Sequence, residues 1–218
     1  VDLAGGNNAR IVVVTNASGT EDNHSKAINE LSARLGKDRI ARLHLKDIDE
    51  ANDDNLIECI KNATGVFFTG GRQWRISEIY LNTKAHREFF RLLERGGVIA
   101  GSSAGASIQG SFLWRGDTTG ADIVIGDHTQ GLGFMKYTAI DQHLLVRNRQ
   151  HDLTAFIRSA PAYIGIGLDE STAIVVQGDS FEVIGKSYVA VYKADPENFF
   201  FLRAGQRFDM KDFSLADR

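Results

Sequence analysis

The sequence predicts an α/β fold: a mostly parallel sheet sandwiched by helices, with an antiparallel β extension toward the C-terminus. Three observations carry this expectation. Short runs such as residues 9–15 (ARIVVVT) and 65–69 (GVFFT) are apolar at consecutive positions, as strands buried on both faces must be. The segments between them repeat apolar residues at three- and four-residue spacing, the period of a helix lying on a sheet. The chain also holds 22 glycines against 2 prolines, and the glycines fall directly after apolar runs, where α/β folds keep their active-site loops.

Taken in order, residues 9–15 form the first strand. Ser25–Leu35 follows as a helix, with Ala27, Ile28, Leu31 and Leu35 on one face. Residues 41–45 are a short strand, and 54–61 a helix with Leu56, Ile57 and Ile60 on one side. Residues 65–69 make the next strand, ended by Gly70-Gly71. A long helix is expected over 76–94, then a fourth strand at 97–100 (GVIA) with Gly101 at once behind it. Such alternation predicts a parallel sheet with helices on both faces. After a strand at 137–140 and a helix at 142–159 the spacing changes. Residues 164–168, 173–176, 181–184 and 188–193 are short strands split by turns such as Gln177-Gly178-Asp179, as in an antiparallel meander on a sheet edge. No repeat, low-complexity tract or linker divides the chain, so a single domain over 1–218 is expected.

Composition narrows the function classes. Hydrophobic residues at 43% and charged residues at 24% are globular values and exclude wholesale disorder. One cysteine, Cys59, rules out an internal disulfide and a cysteine-based zinc site, and fits a reducing, cytoplasmic setting. A net charge of -3 argues against a general nucleic-acid or membrane-surface binder. No apolar run reaches the roughly 18–20 residues of a spanning helix. A histidine–carboxylate metal cluster and a Walker or dinucleotide fingerprint are both missing, so neither metal nor cofactor is expected.

The most specific local signal is Gly101-Ser102-Ser103-Ala104-Gly105, a G-x-S-x-G pattern between an apolar strand and a small-residue helix start. A nucleophile elbow needs small residues on both sides of its serine because the turn is too tight for larger side chains. The alternative reading is a glycine-rich turn with a capping serine. Serine at its free pKa is a poor nucleophile and needs a base, which in turn needs an orienting acid. Of six histidines, His24 and His86 lie in polar helical stretches that suit solvated side chains, and His44 sits in a short strand as a half-buried residue. His143 differs, because it ends the stretch Ile140-Asp141-Gln142-His143 at the C-terminal end of a strand, where open sheets bind ligands. Its acid is Asp141 or one of Asp169-Glu170, which leave another apolar strand. A second loop, Gly70-Gly71-Arg72-Gln73, can supply a backbone N–H to an oxyanion alongside that of Ala104.

Together GGRQ (70–73), GSSAGAS (101–107), DQHLLVRNR (141–149), GIGLDESTA (165–173) and ARIVVVTNAS (9–18) resemble peptidase family S51, its cyanophycinase branch more than its dipeptidase E branch. The resemblance runs over most of the chain, in order and spacing. It implies a serine peptidase on a class I glutamine amidotransferase-like, flavodoxin-like sandwich. Ser103 would be the nucleophile, His143 the base and Glu170 the acid, with Gly71 and Ala104 as oxyanion hole. Gln73, Asp141, Gln142, Arg147 and Arg149 would match the substrate-binding residues of the branch, which cleaves β-linked aspartyl-arginine units. Family members often form homodimers, so a homodimer is an expectation carried by the resemblance alone. Two positions depart from the pattern: Asp152 stands where a third arginine follows RNR, and Arg72 where the loop carries an acidic or amide residue. The chain also begins after the family's first strand. The expected function is therefore hydrolysis of aspartyl peptide bonds through an acyl-enzyme. A catalytically silent peptide- or small-molecule-binding module on the same fold is the alternative, and an esterase of another α/β family a lesser one.

Overall fold

The structure is a computed structural model that describes residues 1–19, 25–193 and 199–216. Its contacts group the chain into two compact units, Val1–Phe134 and Met135–Arg218.

In the first unit two short 3-10 turns lead into β1 (Ile11–Val14). Then come α1 (Ser25–Leu35), β2 (Ile40–Leu43), α2 (Glu58–Lys61), β3 (Gly65–Phe68), α3 (Gln73–Tyr80), α4 (Lys84–Glu94), β4 (Val98–Gly101), α5 (Ala104–Ser107) and β5 (Gly110–Phe112). The sheet has the order β2-β1-β3-β4 and is parallel throughout, with Val12 in register with Ala41 on one side and Val66 on the other. From β1 the chain winds outward first to β2 and then, in the opposite direction, to β3 and β4. Open sheets bind ligands at the carboxyl ends of their strands near such a reversal.

Strand geometry explains why the β1 run is apolar at every position. Successive side chains point to opposite faces. Ile11 and Val13 pack with Ile28, Leu31 and Leu35 of α1. Val12 and Val14 join Val66, Phe68, Ile60, Phe89 and Leu92 on the other face. Phe68 meets Phe89 edge-on at 5.1 Å between ring centroids. Each such fully buried side chain contributes roughly 1.5–3 kcal/mol, so the helices are held on by these two stripes.

Three helices differ from the expected ones. The helix at 54–61 is helical only over Glu58–Lys61. The stretch 76–94 is two helices, because Leu81 is extended, Asn82 is left-handed at φ 62, and Thr83 opens α4 as an N-cap whose hydroxyl accepts the His86 N–H. The stretch 142–159 is helical only over α6 (Asp152–Ser159), as His143 and Asn148 take positive φ and turn the chain on itself. His24 lies outside the described residues.

In the second unit β6 (Met135–Gln142) runs parallel to β7 (Ile164–Leu168), with α6 between them in sequence. The C-terminal strands form two sheets rather than one edge meander. β8 (Thr172–Gln177) and β9 (Ser180–Gly185) form a hairpin that continues through β12 (Arg207–Asp209) and β13 (Ser214–Leu215), in the antiparallel order β13-β12-β9-β8. β10 (Tyr188–Tyr192) and β11 (Phe199–Arg203) instead extend the β6–β7 pair, each antiparallel to its neighbour. Among the described residues no helix is long and apolar enough to cross a membrane.

Candidate active site

Ser103 follows β4 and precedes α5, with backbone angles φ 54 and ψ -115. An L residue adopts that conformation only when its surroundings hold it there. Two close approaches do so. A Cβ on Gly101 would lie 2.0 Å from the Gly105 carbonyl oxygen, and one on Gly105 would lie 2.1 Å from that of Phe68. The small residues of the G-x-S-x-G pattern are thus required by the turn and by its packing on β3. Ser103 is half-buried, and its carbonyl accepts the N–H groups of Ala106 (2.9 Å) and Ser107 (3.1 Å).

The Gly70-Gly71 loop passes directly beside it. A Cβ on Gly70 would sit 3.3 Å from Ser103 Cβ and 3.8 Å from its Oγ. Gly71 has φ 140, and a Cβ there would lie 2.2 Å from the Ala17 carbonyl oxygen, so this loop and the one after β1 accept only glycine at their contact. Ala104 is the first residue of α5, so its N–H has no acceptor within the helix.

Two residues of this loop hold a neighbour in place. The Gln73 side chain is buried and donates to the Trp114 carbonyl at 2.8 Å, while Arg72 donates to the Asp117 carbonyl at 2.6 Å. Arg72, which departs from the pattern of the resembled branch, is therefore a strut for the 113–131 loop.

In the second unit His143 follows β6 directly, at φ 58. Its Nδ1 lies 2.9 Å from Glu170 Oε1. With Glu170 ionised, Nδ1 carries the proton and donates, which leaves Nε2 as the basic nitrogen. Asp169, its neighbour in sequence, does something else. It is 8% exposed, and its carboxylate accepts the Leu145 N–H at 3.0 Å and the Ser187 hydroxyl at 2.5 Å. Burial raises its pKa, but the donors from Ser187, Val146, Glu170 and Leu145 together win and leave it below the usual carboxylate value.

The residues matched to substrate binding fall into two groups. Asp141 is fully buried, with Oδ1 accepting the Gln142 N–H at 2.9 Å. Arg149 is 5% exposed, donates to the Gln142 carbonyl at 3.0 Å and lies 3.6 Å from Asp141 Oδ1. Gln142 is buried as well, whereas Arg147 is exposed. Asp152, the second departure, is the first residue of α6, where a negative charge suits the helix dipole.

The remaining described histidines are engaged elsewhere. His44 Nδ1 lies 2.8 Å from Thr15 Oγ1. His86 is more enclosed than a solvated residue: Nδ1 accepts the Asn82 N–H, Nε2 meets the Leu132 carbonyl at 2.8 Å, and burial lowers its pKa. Ser187 carries no motif in the sequence, and only the structure brings it to notice.

Comparison with known proteins identifies the family. A model of peptidase family S51 matches residues 1–184. A cyanophycinase of Geminocystis herdmanii is 30% identical over 192 residues, covering 86% of this chain and 71% of that protein. A cyanophycinase of Trichormus variabilis is 28% identical over 193 residues, covering 86% and 64% respectively. The chain thus spans about two thirds of the length of these relatives. Among solved structures, a peptidase from an acI-B1 Actinobacterium superposes with a TM-score of 0.68 at 21% identity, covering 95% of this chain and 88% of that one. A candidate peptidase E protein from Listeria monocytogenes EGD-e gives 0.55 at 15% identity, covering 82% and 87%. At those identities the two structures speak for the α/β fold.

Proposed function

The chain belongs to peptidase family S51 and is a peptidase; on that premise we propose that it cleaves aspartyl peptide bonds with Ser103 as nucleophile, His143 as base and Glu170 as the acid that orients it. The observation that carries the reading is the Ser103 backbone, held at φ 54 between two glycines that admit no side chain. It is supported by the Nδ1–Oε1 contact of 2.9 Å, which selects the tautomer a base requires. The family match extends across both compact units, which supports their working as one domain over 1–218.

In this mechanism Ser103 Oγ attacks the scissile carbonyl carbon as His143 Nε2 takes its proton. The oxyanion is stabilised by the N–H groups of Gly71 and Ala104, each worth about 10²–10³ in rate by analogy with other such donors. The intermediate collapses, the C–N bond breaks, and His143 returns the proton to the leaving amine. Water, deprotonated by the same imidazole, then releases the acyl group and frees Ser103. Of the family-matched set Gln73, Asp141, Gln142, Arg147 and Arg149, the exposed Arg147 guanidinium is suited to gripping a substrate carboxylate, while the buried Gln73, Gln142 and the Asp141–Arg149 pair support the backbone around it. The cyanophycinase relatives make cyanophycin the first substrate to try.

The test is hydrolysis of cyanophycin and of a panel of α- and β-aspartyl dipeptides, with Ser103→Ala as control, and capture of Ser103 by a fluorophosphonate. Products from the native protein alone support the reading. Turnover that survives Ser103→Ala overturns it. A protein that neither turns over nor captures the probe is instead a binding module on this fold.

A further inference from the structure

The contact between His143 and Glu170 is not enforced by burial, since the Glu170 side chain is 51% exposed. Exposed ion pairs and hydrogen bonds of flexible side chains hold geometry weakly. The backbone must therefore place Glu170, and the loop that His143 opens sets where the imidazole meets it. His143 stands at positive φ in a stretch outside any helix, and Glu170 in the turn between β7 and β8. One buried group reaches both backbones.

That group is the Asp169 carboxylate. It accepts the N–H groups of Leu145 (3.0 Å) and Val146 (3.3 Å), two and three residues beyond His143, and it is the immediate chain neighbour of Glu170. Its second oxygen accepts the hydroxyl of Ser187, in the turn between β9 and β10, at 2.5 Å. Ser187 is tied to the acid by another route too: its N–H donates to Thr172 Oγ1 at 2.8 Å, and that hydroxyl donates to the Glu170 carbonyl at 3.2 Å. Three loops, after β6, β7 and β9, thus meet at one carboxylate.

We propose that Asp169 and Ser187 are positioning residues that hold the His143 loop and Glu170 in register for proton transfer, so that the β9–β10 turn sets the activity of a base it does not touch. The inference rests on the reading of His143 and Glu170 as base and acid, and deepens it. Asp169 touches no reacting atom in this scheme. Asn at 169 keeps one acceptor oxygen for the loop N–H groups but offers an amide in place of the oxygen that Ser187 meets. Ala at 187 removes a single hydroxyl, and Thr at 187 restores it.

The experiment compares Ser187→Ala, Ser187→Thr and Asp169→Asn with the native protein, with His143→Ala and Glu170→Gln alongside. The readouts are the rate of fluorophosphonate capture at Ser103 per folded molecule, the melting temperature, and the low-field proton resonance of His143 Nδ1–H. Ser187→Ala and Asp169→Asn are expected to slow capture by about 10–10²-fold, the scale of a displaced catalytic group, and to broaden or shift the resonance. Ser187→Thr recovers most of the rate. Capture at the native rate in Ser187→Ala and Asp169→Asn, while His143→Ala and Glu170→Gln are slow, overturns the positioning role and leaves the triad standing. Native rates in all of these variants overturn the triad as well. Losses that only follow the folded fraction make the two residues purely structural and overturn the inference.

Discussion

The guanidinium of Arg72 donates to the main-chain carbonyl of Asp117 across 45 positions of sequence, at 2.6 Å. A cation spent on a backbone oxygen acts as a tie between the loop after β3 and the 113–131 loop. Arg72→Met should therefore cost about 1 kcal/mol and speed hydrogen exchange in a 113–131 peptide. Capture of Ser103 should stay within about twofold, as expected of a substitution outside the reacting groups. A large loss of capture with unchanged exchange would give Arg72 a direct part in the chemistry instead.

Gly105 is placed so that an added Cβ would enter the Phe68 carbonyl, a backbone atom of β3 that cannot swing aside. Gly105→Ala should destabilise the protein by about 3 kcal/mol. For a chain of this size that is a fall in Tm of roughly 6–12 °C. A variant melting within a degree of the native protein would mean that the elbow relaxes, against the tight packing described.

Arg147 and Arg149 should separate cleanly. Arg149 is buried beside Asp141, so Arg149→Met takes a cation away from a buried carboxylate that keeps the Gln142 N–H, and should cost about 3 kcal/mol. Arg147 is exposed, so Arg147→Ala should leave Tm nearly unchanged and raise KM for an aspartyl substrate roughly tenfold. Thermal melts and steady-state kinetics on both variants check this. An unchanged KM in Arg147→Ala would remove it from the recognition set.

Acid should loosen the 113–131 loop. The Thr118 hydroxyl, and after it the His128 ring at 3.0 Å, hold the Asp127 carboxyl down from an ordinary 3.8 to about 2. A carboxyl depressed in the folded state contributes stability that is fully present above its unfolded value and lost as pH falls through its folded one. The window is therefore about pH 4 to 2. Protection of the 113–131 peptide, corrected for intrinsic exchange, should drop across that window in the native protein. In Asp127→Asn it should be low throughout. Equal protection at both ends of the window in the native protein would show that the ties to Asp127 do not hold the loop.

What could be read from sequence divides along physical lines. β1 and β3 were legible because burial on both faces leaves no polar position, as Ile11 and Val13 on one side and Val12 and Val14 on the other illustrate. The join between α3 and α4 has a sequence signal that the apolar period of 76–94 outweighs, since Asn82-Thr83 is a left-handed residue followed by an N-cap. The turn at His143 and Asn148 was not legible, because neither is glycine and Leu144, Leu145 and Val146 keep the apolar run going. Nor could short strands name their partners: β9 pairs with β12 across intervening strands that belong to another sheet. Ser103 announced itself through the glycines it requires. Asp169 and Glu170 looked alike as acids, and only packing sends one to the backbone and the other to the imidazole.

Ser103 at φ 54 and His143 at φ 58 both stand on backbone that glycine accepts far more readily than any L residue. Replacing either by glycine would relieve about 1 kcal/mol or more of strain while deleting a hydroxyl or an imidazole. A lineage selected only for heat resistance would drift toward glycine at both places, and it would be the sturdier for it. An alcohol at one and a titratable ring at the other are what the proposed chemistry asks of both places, at the expense of that sturdiness.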